Sequence, residues 1–146
     1  MKIVSDILNS KSNAITHSVH PGTTVLDALK LMADKGIGAL VVLDNSQLVG
    51  VFSERDYARK IALMERSSST TTIGEVMTAH PICVAATDTM EFCMELMTEK
   101  HIRHLPVLAG DKLMGMISIG DLVKNIIEDQ KAMILQLQNY MRGESY

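Results

Sequence analysis

The chain has 146 residues, 47% of them apolar and 21% charged, which is an ordinary globular composition for one domain or two very small ones. A formal charge of −3 and an aromatic content of 3% argue against nucleic acid as a partner, since neither a basic surface nor base-stacking platforms are provided for. The longest apolar run, residues 36–43, is far shorter than the ~20 residues of a membrane-spanning helix, so no membrane partner is expected.

Eleven methionines stand where aromatics are scarce and are expected to fill much of the core. The opening MKIVSDILNS is interrupted by Ser5, Asp6 and Asn9, unlike a signal sequence. Two cysteines, Cys83 and Cys93, make no disulfide framework, and the expectation is a reduced, cytoplasmic protein.

In chain order, VSDIL (residues 4–8) precedes a short apolar stretch at residues 14–19. A helix follows: Thr24 with Asp27 spells a capping box, Val25, Ala28, Leu29, Met32 and Ala33 form a helical stripe, and Gly36 ends it. Two strands, 39–43 and 48–52, flank the turn Asp44-Asn45-Ser46-Gln47, so they form an antiparallel hairpin. A second helix starts near Glu54. Residues 65–72 are a polar Ser/Thr stretch that reads as an exposed, flexible linker. The same order then recurs: IGEVM (73–77), an apolar stretch at 82–86, and a helix capped by Asp88 or Thr89 with Met90, Cys93, Met94 and Met97 on its stripe. Strands 105–108 and 113–118 follow around Ala109-Gly110-Asp111-Lys112, and a last helix begins near Ile119.

The recurrence is an internal duplication. Shifted by 65, residues 25–59 lie over 90–124 without a gap, and eleven of the 35 pairs are identical, among them Leu40/Leu105, Gly50/Gly115, Ser53/Ser118 and Asp56/Asp121. The unit is β-α-β-β-α. Residues 1–66 form the first repeat, 67–72 the linker, 73–130 the second repeat, and 131–146 a helical extension. One unit of about 60 residues buries too little surface to be stable alone. The fold class is therefore α+β, with two pseudo-symmetric repeats packed through their sheets. Beyond Leu122 an apolar stripe runs through Val123, Ile126, Ile127, Met133, Ile134, Leu137, Tyr140 and Met141. It either packs on its own domain or contacts a second copy in a homodimer.

The candidate chemistry lies in Gly50-x-x-Ser53-x-x-Asp56 and Gly115-x-x-Ser118-x-x-Asp121, each where a strand hands over to a helix. Ser-x-x-Asp is a capping box, and capping alone accounts for both residue types. The same turn also exposes backbone N–H groups that suit phosphate, a carboxylate that can hold ribose hydroxyls, and, in the first copy, Arg55 for an anion. Glycine three residues before the serine allows close approach. His101-x-x-His104 has no third ligand of known position, so no metal site is read. Ser53 and Ser118 lack a nucleophile elbow or an ordered base, and no enzyme is expected. Lys30, Lys35 and Lys100 fall on solvated helix faces.

The duplicated unit, the helix-to-strand passages LMADKGIGALVVLD and LMTEKHIRHLPVLA, and the two G-x-x-S-x-x-D turns resemble the CBS domain in its tandem arrangement, the Bateman module. The resemblance covers roughly residues 1–130 and is strongest to stand-alone CBS pairs. It implies a non-catalytic signal-transduction module binding an adenine nucleotide (AMP, ADP, ATP, NAD or S-adenosylmethionine) in two clefts between the repeats, acting on a regulated protein the sequence does not name. It further implies that Asp56 and Asp121 hold ribose hydroxyls, one per cleft, with Ser53 and Ser118 assisting. Gly38, Ala39 and Leu40, and Arg103, His104 and Leu105, would line the adenine through their backbone. Ile82 and Cys83 would add apolar contact, Thr78 a hydroxyl, and Arg55, Arg103 and His104 the phosphate partners. Because Arg55 aligns with Gly120 and Gly38 with Arg103, the two clefts are expected to differ, one tight and one weak or each with its own ligand.

Overall fold

The structure, a computed structural model, describes residues 2–11 and 15–143. The first half runs α1 (Val4–Ser10), β1 (Ser18–Val19), α2 (Val25–Lys35), β2 (Ala39–Asp44), β3 (Gln47–Ser53) and α3 (Glu54–Asp56), which continues as a π-helical stretch, Tyr57–Ala62. The second runs α4 (Ile73–Val76), β4 (Thr78–Ala79), β5 (Val84–Ala85), α5 (Met90–Lys100), β6 (His104–Ala109), β7 (Lys112–Ser118) and α6 (Ile119–Met141).

Two sheets result, ordered β1-β2-β3-β4 and β5-β6-β7. In each, a two-residue strand lies parallel to the first arm of an antiparallel hairpin. The duplication extends to a register shift at the same place, after Val42 opposite Gly50 and after Val107 opposite Gly115. Asn45 and Ser46 both take positive φ (50° and 66°), the backbone a tight hairpin turn requires. Thr24 caps α2 by accepting from the Asp27 N–H at 3.2 Å, and Thr89, not Asp88, caps α5. Both helices end on a left-handed residue: Gly36 (φ 63°), where the conformation costs little, and His101 (φ 55°).

One face of each hairpin is covered by helices. Val25, Ala28, Leu40, Val42 and Phe52 make one core, and Val84, Cys93, Leu105, Val107 and Ile117 the other. The opposite faces, including Ala39, Val41 and Val51, are also buried, and β3 meets β7 there, so the repeats pack through their sheets. Of the described methionines only Met32, Met90 and Met97 are buried, while Met64, Met114, Met133 and Met141 are exposed. Branched aliphatics fill the cores, contrary to the composition-based expectation.

The short helices at the repeat starts change places. Val4 and Ile7 of α1 lie in the core of the second repeat, and Ile73 and Val76 of α4 in the core of the first. The exchange is reciprocal down to single bonds. Val4 N–H donates to the Asp88 carbonyl and Ile73 N–H to the Thr23 carbonyl, each at 2.8 Å. It also ties down the segment expected to be a free linker. The Ser68 and Thr71 carbonyls accept from the Leu26 and Val25 N–H groups, capping α2, and Thr71 is buried. The Ser/Thr stretch thus supplies caps through its backbone carbonyls. α6 is one unbroken helix whose last turns project. Met133, Ile134, Leu137, Tyr140 and Met141 are each more than half exposed.

Candidate functional site

Each Ser-x-x-Asp turn is a complete capping box. Ser53 Oγ accepts from Asp56 N–H at 3.3 Å while Asp56 Oδ2 accepts from Ser53 N–H at 2.9 Å; the Ser118/Asp121 pair does the same at 3.1 and 2.8 Å. Glu54 N–H donates to the Gly38 carbonyl, and Ile119 N–H to the Arg103 carbonyl. Each turn is thereby bolted to the start of its own hairpin. The glycines before the serines make room for protein, not ligand. A Cβ on Gly50 would come within 2.6 Å of Met77 Sδ and 3.0 Å of the Thr78 carbonyl, and one on Gly115 within 3.0 Å of Leu8. Leu8 and Met77 belong to the exchanged chain starts, so these glycines serve the exchange.

What surrounds the second carboxylate is a cleft of about 670 Å³, within the ~300–1,000 Å³ usual for small-molecule sites. Gly38, Ala39, His104, Ser118 and Asp121 line it, which brings together five of the residues expected from sequence. Lys11, Lys35 and Lys124 share the lining, as do Thr16, His17 and Asn125. Lys11 Nζ sits 3.0 Å from Asp121 Oδ2 and donates to the Met116 carbonyl at 2.8 Å. Asp121 Oδ1 has no hydrogen-bond or ion-pair partner among the described residues. Three lysines against one aspartate give the wall a positive excess that attracts anions. Burial holds the His104 imidazole below its ordinary pKa, with Asp121 opposing. Asn125 is buried and spans two anchors, donating to the Asp121 carbonyl and accepting from Lys2 Nζ.

The first carboxylate is used up. Asp56 is 8% exposed. Its Oδ1 accepts from Thr78 Oγ1 at 3.1 Å and lies 3.1 Å from Lys60 Nζ, and Oδ2 also accepts from Ser53 Oγ. Thr78 therefore does meet Asp56, as a partner within the protein. Arg55 donates to the His101 carbonyl at the end of α5, so the cation expected to hold phosphate bridges the repeats. Leu40 and Leu105 are fully buried in the two cores, leaving only their backbone for any contact. Arg103, Ile82 and Cys83 lie off the Asp121 cleft. Burial pushes the Cys83 thiol up, and burial with Asp88 beside it pushes Cys93 up to about 11, so neither is an activated nucleophile.

Sequence reasoning missed Lys11, His17 and Lys124; Lys35 is solvent-exposed, as expected, and also lines the cleft. A signal was present: VSDIL and IGEVM are offset by 69 residues, whereas the helices and hairpins are offset by 65. The first loop is thus four residues longer, and Ile15, Thr16 and His17 at its end reach the cleft.

The CBS domain family model matches residues 4–63 and 73–128. The chain is 35% identical over 148 residues to the mitochondrial CBS domain-containing protein CBSX3 of Arabidopsis thaliana, covering 96% of this chain and 72% of that one. A solved signal-transduction protein with CBS domains from Burkholderia ambifaria is 50% identical, with a TM-score of 0.85 over 88% of this chain and 96% of that one. CBSX2, solved in complex with AMP, is 28% identical, with a TM-score of 0.72 over 86% and 97%.

Proposed function

The chain belongs to the CBS-domain family as a regulatory pair of repeats, and from that premise we propose that it is a non-catalytic module binding an adenine nucleotide in the Asp121 cleft. The carrying observation is the lining of that cleft: a carboxylate with one oxygen unpaired among the described residues, for ribose hydroxyls, beside three lysines for phosphate. AMP in CBSX2 supports an adenine nucleotide. The Gly38 and Ala39 backbone and His104 stand by for the base and Ser118 for the ribose. The Asp56 side is the weak or closed site. Ser53 and Ser118 use Oγ as cap acceptors, Ser118 keeping its hydroxyl proton to donate to the ribose, which supports binding rather than catalysis. Two free thiols agree with a reducing compartment such as the cytoplasm.

A ligand regulates only by binding two states unequally. Here Asp121 has a resident competitor in Lys11, one residue beyond α1. At its other end α1 is held through Lys2, which pairs with Asp129 of α6 at 3.0 Å. Ribose hydroxyls taking Asp121 from Lys11 would loosen α1 from α6, the helix whose exposed apolar stripe is the surface for a second copy in a homodimer or for the regulated protein.

The test is a thermal-shift panel on nucleotide-free protein with AMP, ADP, ATP, NAD and S-adenosylmethionine. A ligand at 100 times its Kd stabilises by about 2.7 kcal/mol, so a selective shift is expected. A flat panel would overturn the nucleotide reading in favour of an interaction module, which the α6 stripe favours.

A further inference from the structure

Between α5 and α6 runs a second cavity, a groove of about 360 Å³. Met90, Met94, Ile126 and Met133 line it, together with the carboxylates Glu91 and Asp129. Methionine suits such a surface, because its flexible thioether adapts to whatever packs on it. The α6 side of the groove does not stop where the groove does. Ile126, Gln130 and Met133 line it, and Leu137 and Tyr140 continue the same row at steps of four, three, four and three residues. That spacing draws one seam along a helix. Up to Met133 the seam has α5 beside it. Beyond, α6 projects, and Leu137 and Tyr140, flanked by Ile134 and Met141, are each more than half exposed.

The groove and the bare end suit each other, but a continuous helix cannot fold back on itself to join them. They lie symmetrically about Met133: Ile126 is seven residues before it and Tyr140 seven after, Asp129 four before and Leu137 four after. A two-fold axis at Met133 therefore lays each bare end along the groove of a second copy and fills both grooves at once, as an isologous contact does. Charge selects the same arrangement. Residues 130–143 hold Lys131 and Arg142 and no carboxylate, whereas the groove has Glu91 and Asp129, with Glu95 one turn along α5. Antiparallel pairing sets the basic end on the acidic groove. Parallel pairing would set groove against groove, with carboxylates facing carboxylates. We propose that α6 pairs antiparallel with α6 of a second copy about Met133, Leu137 and Tyr140 of each chain filling the groove of the other. The pairing selects a second copy, over the regulated protein, as the occupant of the α6 stripe, and it does not depend on a bound nucleotide.

The test is light scattering on the full chain across a dilution series, joined to disulfide trapping. Wild type is expected to be a dimer, and Leu137→Asp with Tyr140→Asp to weaken it about a hundredfold, the effect of losing two apolar anchors. Trapping keeps both anchors and reads the direction. In a Cys83→Ser background, Cys93 being buried, Met133→Cys is expected to cross-link two chains under mild oxidation, since the axis brings the two positions together. Met141→Cys is expected not to cross-link. Eight residues from the axis at ~1.5 Å each set its two copies roughly 24 Å apart, and a disulfide needs Cα atoms within about 7 Å. A monomeric wild type, an equally tight dimer in the double variant, no cross-link at 133, or an equal cross-link at 141 overturns the pairing. None of these readings involves nucleotide, so a flat thermal-shift panel and a failed pairing are separate results.

Discussion

The two Ser-x-x-Asp turns are the same device in two settings. Both cap a helix with matching bonds, and both are bolted to the first strand of their hairpin by an N–H to carbonyl bond. They part at what leans on them. The short loop after α4 lays β4 along β3 and delivers Thr78 onto Asp56, while Lys60 closes the other side. The loop after α1 is four residues longer, α1 runs on as helix to Ser10, and the contact to Asp121 is left to a single lysine. A cleft of about 670 Å³ opens there. The lesson is that a motif specifies its cap, whereas the neighbouring loop decides whether the carboxylate remains available.

Substitutions can break this contrast, beginning with the carboxylates. Asp56→Ala strips partners from Ser53, Thr78 and Lys60 and is expected to destabilise by about 3 kcal/mol in urea unfolding, because it orphans partly buried groups and a cation. Asp121→Ala is expected to cost about 1 kcal/mol of stability but to weaken AMP by about 1–3 kcal/mol in calorimetry. Glycine comes next. Gly50→Ala forces a Cβ against the Thr78 backbone and Met77 and is expected to destabilise by about 2 kcal/mol, whereas Gly115→Ala presses on the tip of Leu8, with Thr16 Oγ1 at ordinary contact distance, and is expected to cost about 1 kcal/mol. Ser118→Ala is expected to cost about 1 kcal/mol, and Ser53→Ala somewhat more, since Ser53 Oγ also donates to the buried Asp56 carboxylate.

The smallest effect is in pH. His104 is held below its ordinary value of 6.5 by burial, so the unfolded chain takes the proton first. Stability from the neutral imidazole is fully present above 6.5 and is lost as pH falls from there through the folded pKa. His104→Gln is expected to flatten the fall of melting temperature between about pH 7 and 5. An unchanged slope would exclude His104 as the cause.

Caps, hairpins and the duplication were legible because their chemistry is local: a hydroxyl three residues before a carboxylate, or a turn between two apolar runs. The reciprocal exchange of α1 and α4 was not, because it joins Val4 to Asp88 and Ile73 to Thr23 across distances no local pattern encodes. The same holds for Lys35, which by helical position is a surface residue and becomes a cleft residue only when the other repeat packs beside it. The Ser/Thr stretch was expected as an exposed, flexible linker; that its Ser68 and Thr71 carbonyls cap a distant helix was not legible, because composition does not tell free carbonyls from carbonyls that cap. The expectation that the clefts differ rested on Arg55 aligning with Gly120; in the structure Arg55 is engaged by the His101 carbonyl, and the surroundings of the two turns differ instead in loop length.

The most direct measurement is the stoichiometry of AMP by calorimetry on wild type, Asp121→Ala and Asp56→Asn, all freed of nucleotide. The expected result is one tight equivalent per chain, lost in Asp121→Ala and kept in Asp56→Asn. Two equal equivalents, or an equivalent lost in Asp56→Asn and kept in Asp121→Ala, would contradict the claim that the open turn, and not the closed one, is the ligand site.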